Sequence, residues 1–297
     1  MTASTPERIL VPFDFSPDAR AAAERAGWLA TRTNATIHLL HACALPTHGL
    51  TPYEAVLPNG LWEQIHESAA GQLETVRAQL AEKTGTEVTA EVTDGLPGDA
   101  IQAACEALDA QLIVMGTQGR TGLGHLLLGS VAERTLRTAP CAVLAVKEDG
   151  GTEDITKILV GVDFSEPAEE ALHTAAEWAK RFGAELHVAH AFDLPLTVIT
   201  PYEVAVPTGL LQEARDSANA KLDRAADRAR ATTDRVESKL LESPAAPALA
   251  EEAARIGANL IVIGTRGHTG FKHLLLGSVA ERTVRLAPCA VLALKSS

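Results

Sequence analysis

A glycine-rich segment between an apolar run and a helix start is the part of the chain best suited to bind a ligand. Gly116 follows the apolar run Leu112–Met115, Gly119 comes soon after it, and Gly129 and Ser130 close the segment. Glycines let the backbone approach a ligand closely, and the N–H groups at a helix N-terminus attract anions. The segment therefore predicts a loop that binds phosphate.

The same segment occurs a second time. Its three glycines and its serine recur as Gly264, Gly267, Gly277 and Ser278. A tight turn plus a helix cap, in which Ser130 and Glu133 form a capping box, would explain the helix start alone. A cap does not require two more glycines upstream in both copies, so phosphate binding is favoured in both halves.

An acidic residue directly follows the first apolar run of each half. These residues are Asp14 and Asp163, each within an Asp-Phe-Ser segment. Either could be a solvated acid that caps the next helix, although Ser16 and Ser165 are better placed for that role. Acids at this position bind ribose hydroxyls in other nucleotide folds, so we favour ligand contact.

Strands and helices are predicted to alternate along each half. In the first half, apolar runs predict strands at 8–13, 36–41, 87–92, 112–115 and 141–146. This alternation predicts an α/β fold with a parallel sheet and helices on both faces. Ligands in such folds bind at the carboxyl ends of the strands, so the ends at Asp14, Ala42 and Gly116 should converge on one crevice.

The pattern restarts after a polar stretch that contains glycine. Because each half carries a complete set of elements, the repeat indicates a duplicated domain rather than a solenoid of short repeats. We expect one domain at 1–148 and a second at 155–297, with a linker at about 149–154.

Composition limits the classes of partner. The chain has 297 residues, a formal net charge of −12 and only 4% aromatic residues, which argues against nucleic acids and anionic membranes as partners. No signal peptide or apolar run of membrane-spanning length is evident. The four cysteines form no C-x-x-C pair, so we expect reduced, mostly buried thiols and a cytoplasmic location.

Metal and catalytic motifs are weak or missing. His38 and His41 recur as His187 and His190, but residues three apart on a strand point to opposite faces, so we expect no metal site. The sequence has no P-loop lysine motif, no G-x-G-x-x-G at the first strand and no G-x-S-x-G elbow. We therefore predict no catalytic residues.

Taken together, these motifs resemble the universal stress protein family in its tandem form. The resemblance rests on the spacing Gly-x2-Gly-x9-Gly-Ser, on Asp-Phe-Ser after the first strand and on Ala-Pro-Cys-x-Val before the last, all present twice. It covers nearly the whole chain. It implies two Rossmann-like domains, each with a five-stranded parallel sheet in the order 3-2-1-4-5, and an ATP site in the nucleotide-binding members.

The resemblance also implies which residues contact the nucleotide. The acid after the first strand contacts ribose and adenine, the end of the second strand lies against adenine, and the glycine loop with its serine binds phosphates. The first site is expected to comprise Pro12, Asp14, Ala42, Met115, Gly116, Gly119, Arg120, Gly129, Ser130 and Val131. The second is expected to comprise Val162, Asp163, Ala191, Ile263, Gly264, Gly267, His268, Gly277, Ser278 and Val279.

The leading hypothesis is a stress-response regulatory or protective protein that binds ATP or a related adenine nucleotide, with or without Mg²⁺, once per domain. A chaperone-like or structural stress protein with vestigial loops and a slow ATPase are the alternatives. Intact glycines in both halves disfavour the former, and the lack of an evident general base disfavours the latter. The apolar last strands, Val143–Val146 and Val291–Leu294, need covering, so we expect the halves to pair through them and the chain to form a homodimer.

The two halves are not equivalent. The turn Asp94–Pro97 corresponds to Glu242–Ala245, which lacks the glycine-x-proline pattern of the family. The second loop carries Arg266 and Lys272 at positions where the first carries uncharged residues. Loss of the turn could loosen the second site and the added charge could tighten it, and the sequence leaves both outcomes open.

Overall fold

The computed structural model describes residues 5–44, 60–119, 128–148, 154–193, 208–265 and 277–295. Within the chain, two compact units are separated at Thr152 and Glu153. Each unit contains five strands with helices between them. Among the described residues, no helix combines the length and apolarity that a membrane crossing requires.

In the first unit, helices and strands alternate from the start. The elements are β1 (Arg8–Pro12), α1 (Pro17–Thr33), β2 (Thr36–Cys43), α2 (Leu61–Thr84), β3 (Val88–Asp94), α3 (Pro97–Ala107), β4 (Leu112–Gly116), α4 (Ser130–Thr138) and β5 (Ala142–Val146). All strand pairs are parallel, and the order is β3-β2-β1-β4-β5. The order reverses at β1, which pairs with β2 on one side and β4 on the other.

The second unit repeats this arrangement. Its elements are β6 (Lys157–Gly161), α5 (Glu166–Phe182), β7 (Glu185–Ala191), α6 (Thr208–Arg230), β8 (Val236–Leu241), α7 (Ala245–Ile256), β9 (Leu260–Gly264), α8 (Ser278–Leu286) and β10 (Ala290–Leu294). Its strands are parallel in the order β8-β7-β6-β9-β10. The predicted fold class, two α/β domains with the strand order 3-2-1-4-5, is confirmed.

The central strands form the core of each unit. Leu10 and Val11 in β1 and Leu112–Val114 in β4 are fully buried, as expected for strands covered on both faces. Alanines of α1, including Ala22, Ala26 and Ala30, are fully buried as well. Their spacing of four residues puts them on one helix face, and their small size lets the helix pack closely on the sheet.

Candidate functional site

The carboxyl ends of β1, β2 and β4 border a single cavity in the first unit, with a volume of about 350 Å³. Every described residue of the predicted first site lines this cavity: Pro12, Asp14, Ala42, Met115, Gly116, Gly119, Gly129, Ser130 and Val131. Arg120 lies outside the described residues. The cavity lies where the strand order reverses, the usual ligand position in parallel α/β sheets.

The second unit has a matching cavity of about 310 Å³. Its lining includes every described residue of the predicted second site: Val162, Asp163, Ala191, Ile263, Gly264, Gly277, Ser278 and Val279. The other two predicted residues, Gly267 and His268, lie outside the described part of the chain. The structure thus brings the described candidates together in both units, and their contact with a ligand stays a prediction.

A backbone hydrogen bond closes the base of each glycine loop. The N–H of Gly129 donates to the carbonyl of Thr117 at 2.8 Å, and that of Gly277 donates to Thr265 at 2.9 Å. A Cβ atom at Gly129 would lie 3.1 Å from this same carbonyl oxygen, and one at Gly277 would lie 3.0 Å from its counterpart. The third glycine of the spacing is therefore needed where the loop returns to its own start.

The first glycine of each loop lies against the first turn of the first helix of its unit, α1 or α5. A Cβ atom at Gly116 would lie 2.7 Å from Cβ of Asp18 and 2.8 Å from its carbonyl carbon. At Gly264 the added atom would lie 3.1 Å from Pro167. Close approach of strand and helix, rather than an unusual backbone angle, therefore explains these two glycines.

The helix after each loop begins at the predicted serine, but the predicted capping box is wrong. Gly129 is the N-cap residue of α4, and it has no side chain that could cap the helix. The same holds for Gly277 and α8. The physical reason is the bond at the loop base, which places each glycine at the N-cap and makes Ser130 and Ser278 the first helical residues.

Backbone donors therefore border the first cavity. The first bond of α4 runs from the Glu133 N–H to the Gly129 carbonyl at 2.9 Å. The N–H groups of Ser130, Val131 and Ala132 come before it and have no acceptor within the helix. All three residues line the cavity. Together with the helix dipole, these donors favour an anion at this wall despite the negative net charge of the chain.

The acid after the first strand is held in a tight turn in both units. Oδ1 of Asp14 accepts a hydrogen bond from the Ser16 N–H at 3.0 Å, and Oδ1 of Asp163 accepts one from the Ser165 N–H at 3.0 Å. Oδ2 of Asp14 would lie 2.9 Å from a Cβ atom at Gly119, so acid and loop are adjacent. This geometry fixes the carboxylate at the cavity wall.

The residue between acid and serine has a left-handed backbone in both units. Phe15 has φ of 67° and Phe164 has φ of 65°, which is uncommon for a bulky side chain. The N-cap role of Ser16 is confirmed, because its Oγ accepts from the Ala19 N–H at 3.2 Å. Ser165 does not cap α5 with its side chain, since its hydroxyl donates to Asp163 Oδ1 at 2.5 Å.

Two of the recurring histidines connect the first and second strands beside the cavities. Nδ1 of His41 lies 2.7 Å from the Phe13 carbonyl oxygen, and its ring centroid lies 4.8 Å from that of Phe15. His190 repeats both contacts, with the Val162 carbonyl oxygen at 2.7 Å and with the Phe164 ring at 4.4 Å. Both line their cavities, a role that our sequence analysis missed although the recurrence of the pair was visible.

The other histidine pair lies away from the cavities. Burial lowers the pKa of His38, and the nearby Glu91 carboxylate opposes this shift. Nε2 of His38 lies 3.4 Å from Glu91, and His187 lies 3.4 Å from Glu237. Within the described ranges, no three His, Cys, Asp or Glu side chains come together in a way that could hold a metal ion.

The helix after the third strand supplies residues that the sequence analysis did not predict. Pro97 and Ile101 of α3 line the first cavity, and Ala245 and Leu249 of α7 line the second. Their shared spacing of four residues at a helix start is the signal that could have revealed them. In the second half, α7 still begins at Ala245 although the turn before it lacks the glycine-x-proline pattern. The change in the turn therefore does not remove the helix from the cavity wall.

Comparison with known proteins identifies the same family in both halves of the chain. The model of the Universal stress protein family matches residues 6–147 and again residues 154–295. A universal stress protein of Mycolicibacterium smegmatis is 28% identical over 291 residues, which cover 97% of this chain and 96% of that protein. One from Methanocaldococcus jannaschii is 36% identical over 146 residues, or 48% of this chain and 82% of its own length.

A solved structure matches the fold over the full length. The crystal structure of a universal stress protein from Archaeoglobus fulgidus has a TM-score of 0.74 and 24% sequence identity. The match covers 98% of this chain and 96% of that chain. At this level of identity the likeness establishes a shared fold.

Proposed function

This chain belongs to the universal stress protein family, once in each half, and from that premise we propose that it is a stress-response regulatory or protective protein that binds one adenine nucleotide per unit. One observation carries the proposal. In both units, a fixed acid and a helix N-terminus with glycine as its N-cap residue border the same cavity at the carboxyl ends of the strands. Such a cavity offers partners for a ribose and for phosphates.

The ligand would lie in the first cavity with its phosphates at the start of α4. The N–H groups of Ser130 and Val131 would donate to phosphate oxygens, as helix N-termini do in other nucleotide folds. Asp14 would accept from the ribose hydroxyls. Leu40, Ala42 and Ile101, which line the same cavity, would contact the adenine ring.

Mg²⁺ would enter only with the nucleotide. Since no three metal-ligating side chains of the described residues come together, the ion would be held by phosphate oxygens and water rather than by a dedicated protein site. The chain's own part is to bind and orient the phosphates. ATP, or a related adenine nucleotide, is therefore the ligand that we propose.

A charge placed at the helix start tests the proposal without unfolding the protein. Ser130 and Ser278 are exposed first residues of α4 and α8. Changing either to Asp adds a negative charge that stabilises a helix N-terminus by about 0.3–1 kcal/mol. The same charge repels phosphate, so S130D and S278D should each abolish ATP binding in their own unit. The neutral variants S130N and S278N are the size-matched controls.

Calorimetric titration with ATP and with adenosine measures the outcome. We expect two ATP per wild-type chain, one in each single Asp variant and none in the double variant. Adenosine, which lacks phosphates, should bind all of these proteins alike. Full ATP affinity in the S130D/S278D protein would overturn the phosphate assignment. The alternative of vestigial loops would be favoured if ATP gave no heat of binding to the wild type and mass spectrometry found no nucleotide released from the purified protein.

A further inference from the structure

Two cysteines of the first unit lie side by side, although 36 residues separate them in sequence. The Sγ atoms of Cys105 and Cys141 are 3.2 Å apart. Cys105 lies in the last turns of α3, and Cys141 directly precedes β5. Neither lines the nucleotide cavity. Neither cysteine is part of a disulfide in this structure.

We propose that Cys105 and Cys141 form a reversible disulfide when the protein is exposed to hydrogen peroxide, so that the thiols of the first unit respond to oxidants. The contact supports this directly. A disulfide has an S–S length of about 2.0 Å, so the two sulfurs must approach by only about 1 Å. The proposal does not depend on nucleotide binding.

The environment of the pair favours the chemistry. Cys105 is 1% exposed, whereas Cys141 is partly exposed and would meet a dissolved oxidant first. The hydrogen bond with Cys141 lowers the pKa of the Cys105 thiol, while burial and the charges of Glu106 and Asp109 oppose this shift. The lowered pKa favours the thiolate form of Cys105, which is the nucleophile of the second step, and because either sulfur can donate, Cys105 can also stabilise a Cys141 thiolate.

The reaction has two balanced steps. The Cys141 thiolate attacks one oxygen of hydrogen peroxide, the O–O bond breaks, and a sulfenic acid forms on Cys141 with release of hydroxide, which takes up the first thiol proton to give water. Cys105, as the thiolate, then attacks the Cys141 sulfur, the S–S bond forms, and hydroxide leaves and takes up the second thiol proton to give water. Two thiols lose two electrons to one peroxide, and two waters are formed.

The second unit is an internal control. Cys289 occupies the position of Cys141, but Ala253 occupies the position of Cys105 and is fully buried. The pair is therefore specific to the first unit. The natural alanine also indicates that Cys105→Ala should fold, since an alanine packs well at the equivalent place in α7.

The bond would tie α3 to the start of β5. Ile101 and Pro97 precede Cys105 by four and eight residues and lie on the same face of α3. Both line the first cavity. The crosslink would therefore anchor the helix that forms this wall, whereas the second cavity has no such anchor.

Peroxide titration of the reduced full-length protein tests the proposal. After denaturation and alkylation, intact mass should show a decrease from four reactive thiols to two, and peptide mapping should identify a Cys105–Cys141 link that dithiothreitol reverses. Cys289→Ala should keep this link, whereas Cys105→Ala and Cys141→Ala should abolish it. Ala253→Cys should form a second link, to Cys289.

Two results would overturn the proposal. One is that peroxide converts Cys141 of the wild type to sulfinic acid while both cysteines remain open to alkylation up to that point, so that no disulfide forms between them. The other is that the mapped bond joins a different pair or two chains. Both results are read on the wild-type protein, so they do not depend on the folding of any variant.

Discussion

Oδ2 of Asp18 accepts a hydrogen bond from the backbone N–H of Gln118 at 2.9 Å, which anchors the start of the first glycine loop to α1. The hydroxyl of Thr117 donates to the same oxygen at 3.1 Å. In the second unit Pro167 occupies the position of Asp18 and offers no side-chain acceptor. The first loop therefore has an anchor that Pro167 cannot provide in the second unit.

Removing this anchor should weaken the first site selectively. Asp18→Ala leaves the buried Thr117 hydroxyl and the Gln118 N–H without their acceptor, which costs about 1–3 kcal/mol of stability. We expect a lower urea midpoint and weaker ATP binding in the first unit, with the second site unchanged. Asp99→Ala, which removes an exposed ion pair with Arg134, is the control and should cost no more than about 1 kcal/mol. Equal loss of affinity at both sites would contradict this view of Asp18.

A methyl group at Gly116 should destabilise the protein. The added Cβ would lie within 2.8 Å of Asp18 backbone and side-chain carbons, so strand and helix would have to separate. Such overpacking typically costs about 1–3 kcal/mol. Gly71→Ala, at an exposed position of α2 where a Cβ meets nothing within 4 Å, should instead stabilise by about 0.5–1 kcal/mol. Urea unfolding of the two variants should therefore shift in opposite directions.

The loop and the acid should have separable roles in ligand binding. Gly119→Val places a branched side chain beside Asp14 Oδ2 and should abolish ATP binding in the first unit while sparing adenosine more. Asp14→Ala should weaken adenosine and ATP alike, because both carry the ribose. Titration of the two ligands against the two variants measures this difference. Equal losses of both ligands in both variants would show that the roles are not separate.

Acid should weaken the second unit through Glu252. Arg255 donates to both carboxylate oxygens at 2.8 and 2.6 Å, and Lys239 reaches Oε2 at 2.7 Å. The hydrogen bonds from Arg255 are the main cause that lowers the pKa of Glu252 to about 2, burial opposes the shift, and Lys239 adds to it. The folded pKa lies below the ordinary value of 4.5, so this stabilisation is complete above about pH 4.5 and is lost as the pH falls towards 2.

Urea unfolding at pH 5 and pH 3 measures this contribution. Because the side chains of Lys239 and Arg255 are about half exposed, water screens their interaction with Glu252. We therefore expect the free energy of unfolding to fall by only about 1 kcal/mol between these pH values through this group. Glu252→Gln should lack this part of the acid dependence. Glu133→Gln, which removes an exposed pair with Arg137, should keep it. Identical pH dependence of the wild type and Glu252→Gln would refute the assignment.

Pairing of the two halves through β5 and β10 stays a prediction. Each is the last strand in its unit's order and is apolar throughout, and an uncovered apolar edge promotes association. Proteolytic cleavage of the linker near Gly150 should therefore leave the halves associated. Separate elution of the halves on gel filtration at micromolar concentration would argue against it, and light scattering of the intact chain tests the predicted homodimer.

The sequence alone predicted the fold, and every described residue that it assigned to a site lines one of the two cavities. Strands that are buried on both faces are apolar runs, which can be recognised in the sequence. Where a loop approaches a helix closely, only glycine fits, so the loop can be recognised from the spacing of its glycines. The repeat then showed that they occur twice. The capping box was predicted wrongly because Ser130 and Glu133 fit the local pattern, whereas a bond from Gly129 to Thr117 across the loop determines the N-cap.

Contacts between distant segments were decided only by the tertiary structure. The pairing of Cys105 with Cys141 and the anchoring of Gln118 by Asp18 join residues that 36 and 100 positions separate. Hydrophobic periodicity reports which face of an element is buried, but not which side chain of another element it meets. That choice depends on how the end of α3 meets the segment before β5 and how the start of α1 packs against the end of β4. Both follow from the crossover connections and close packing of the whole unit.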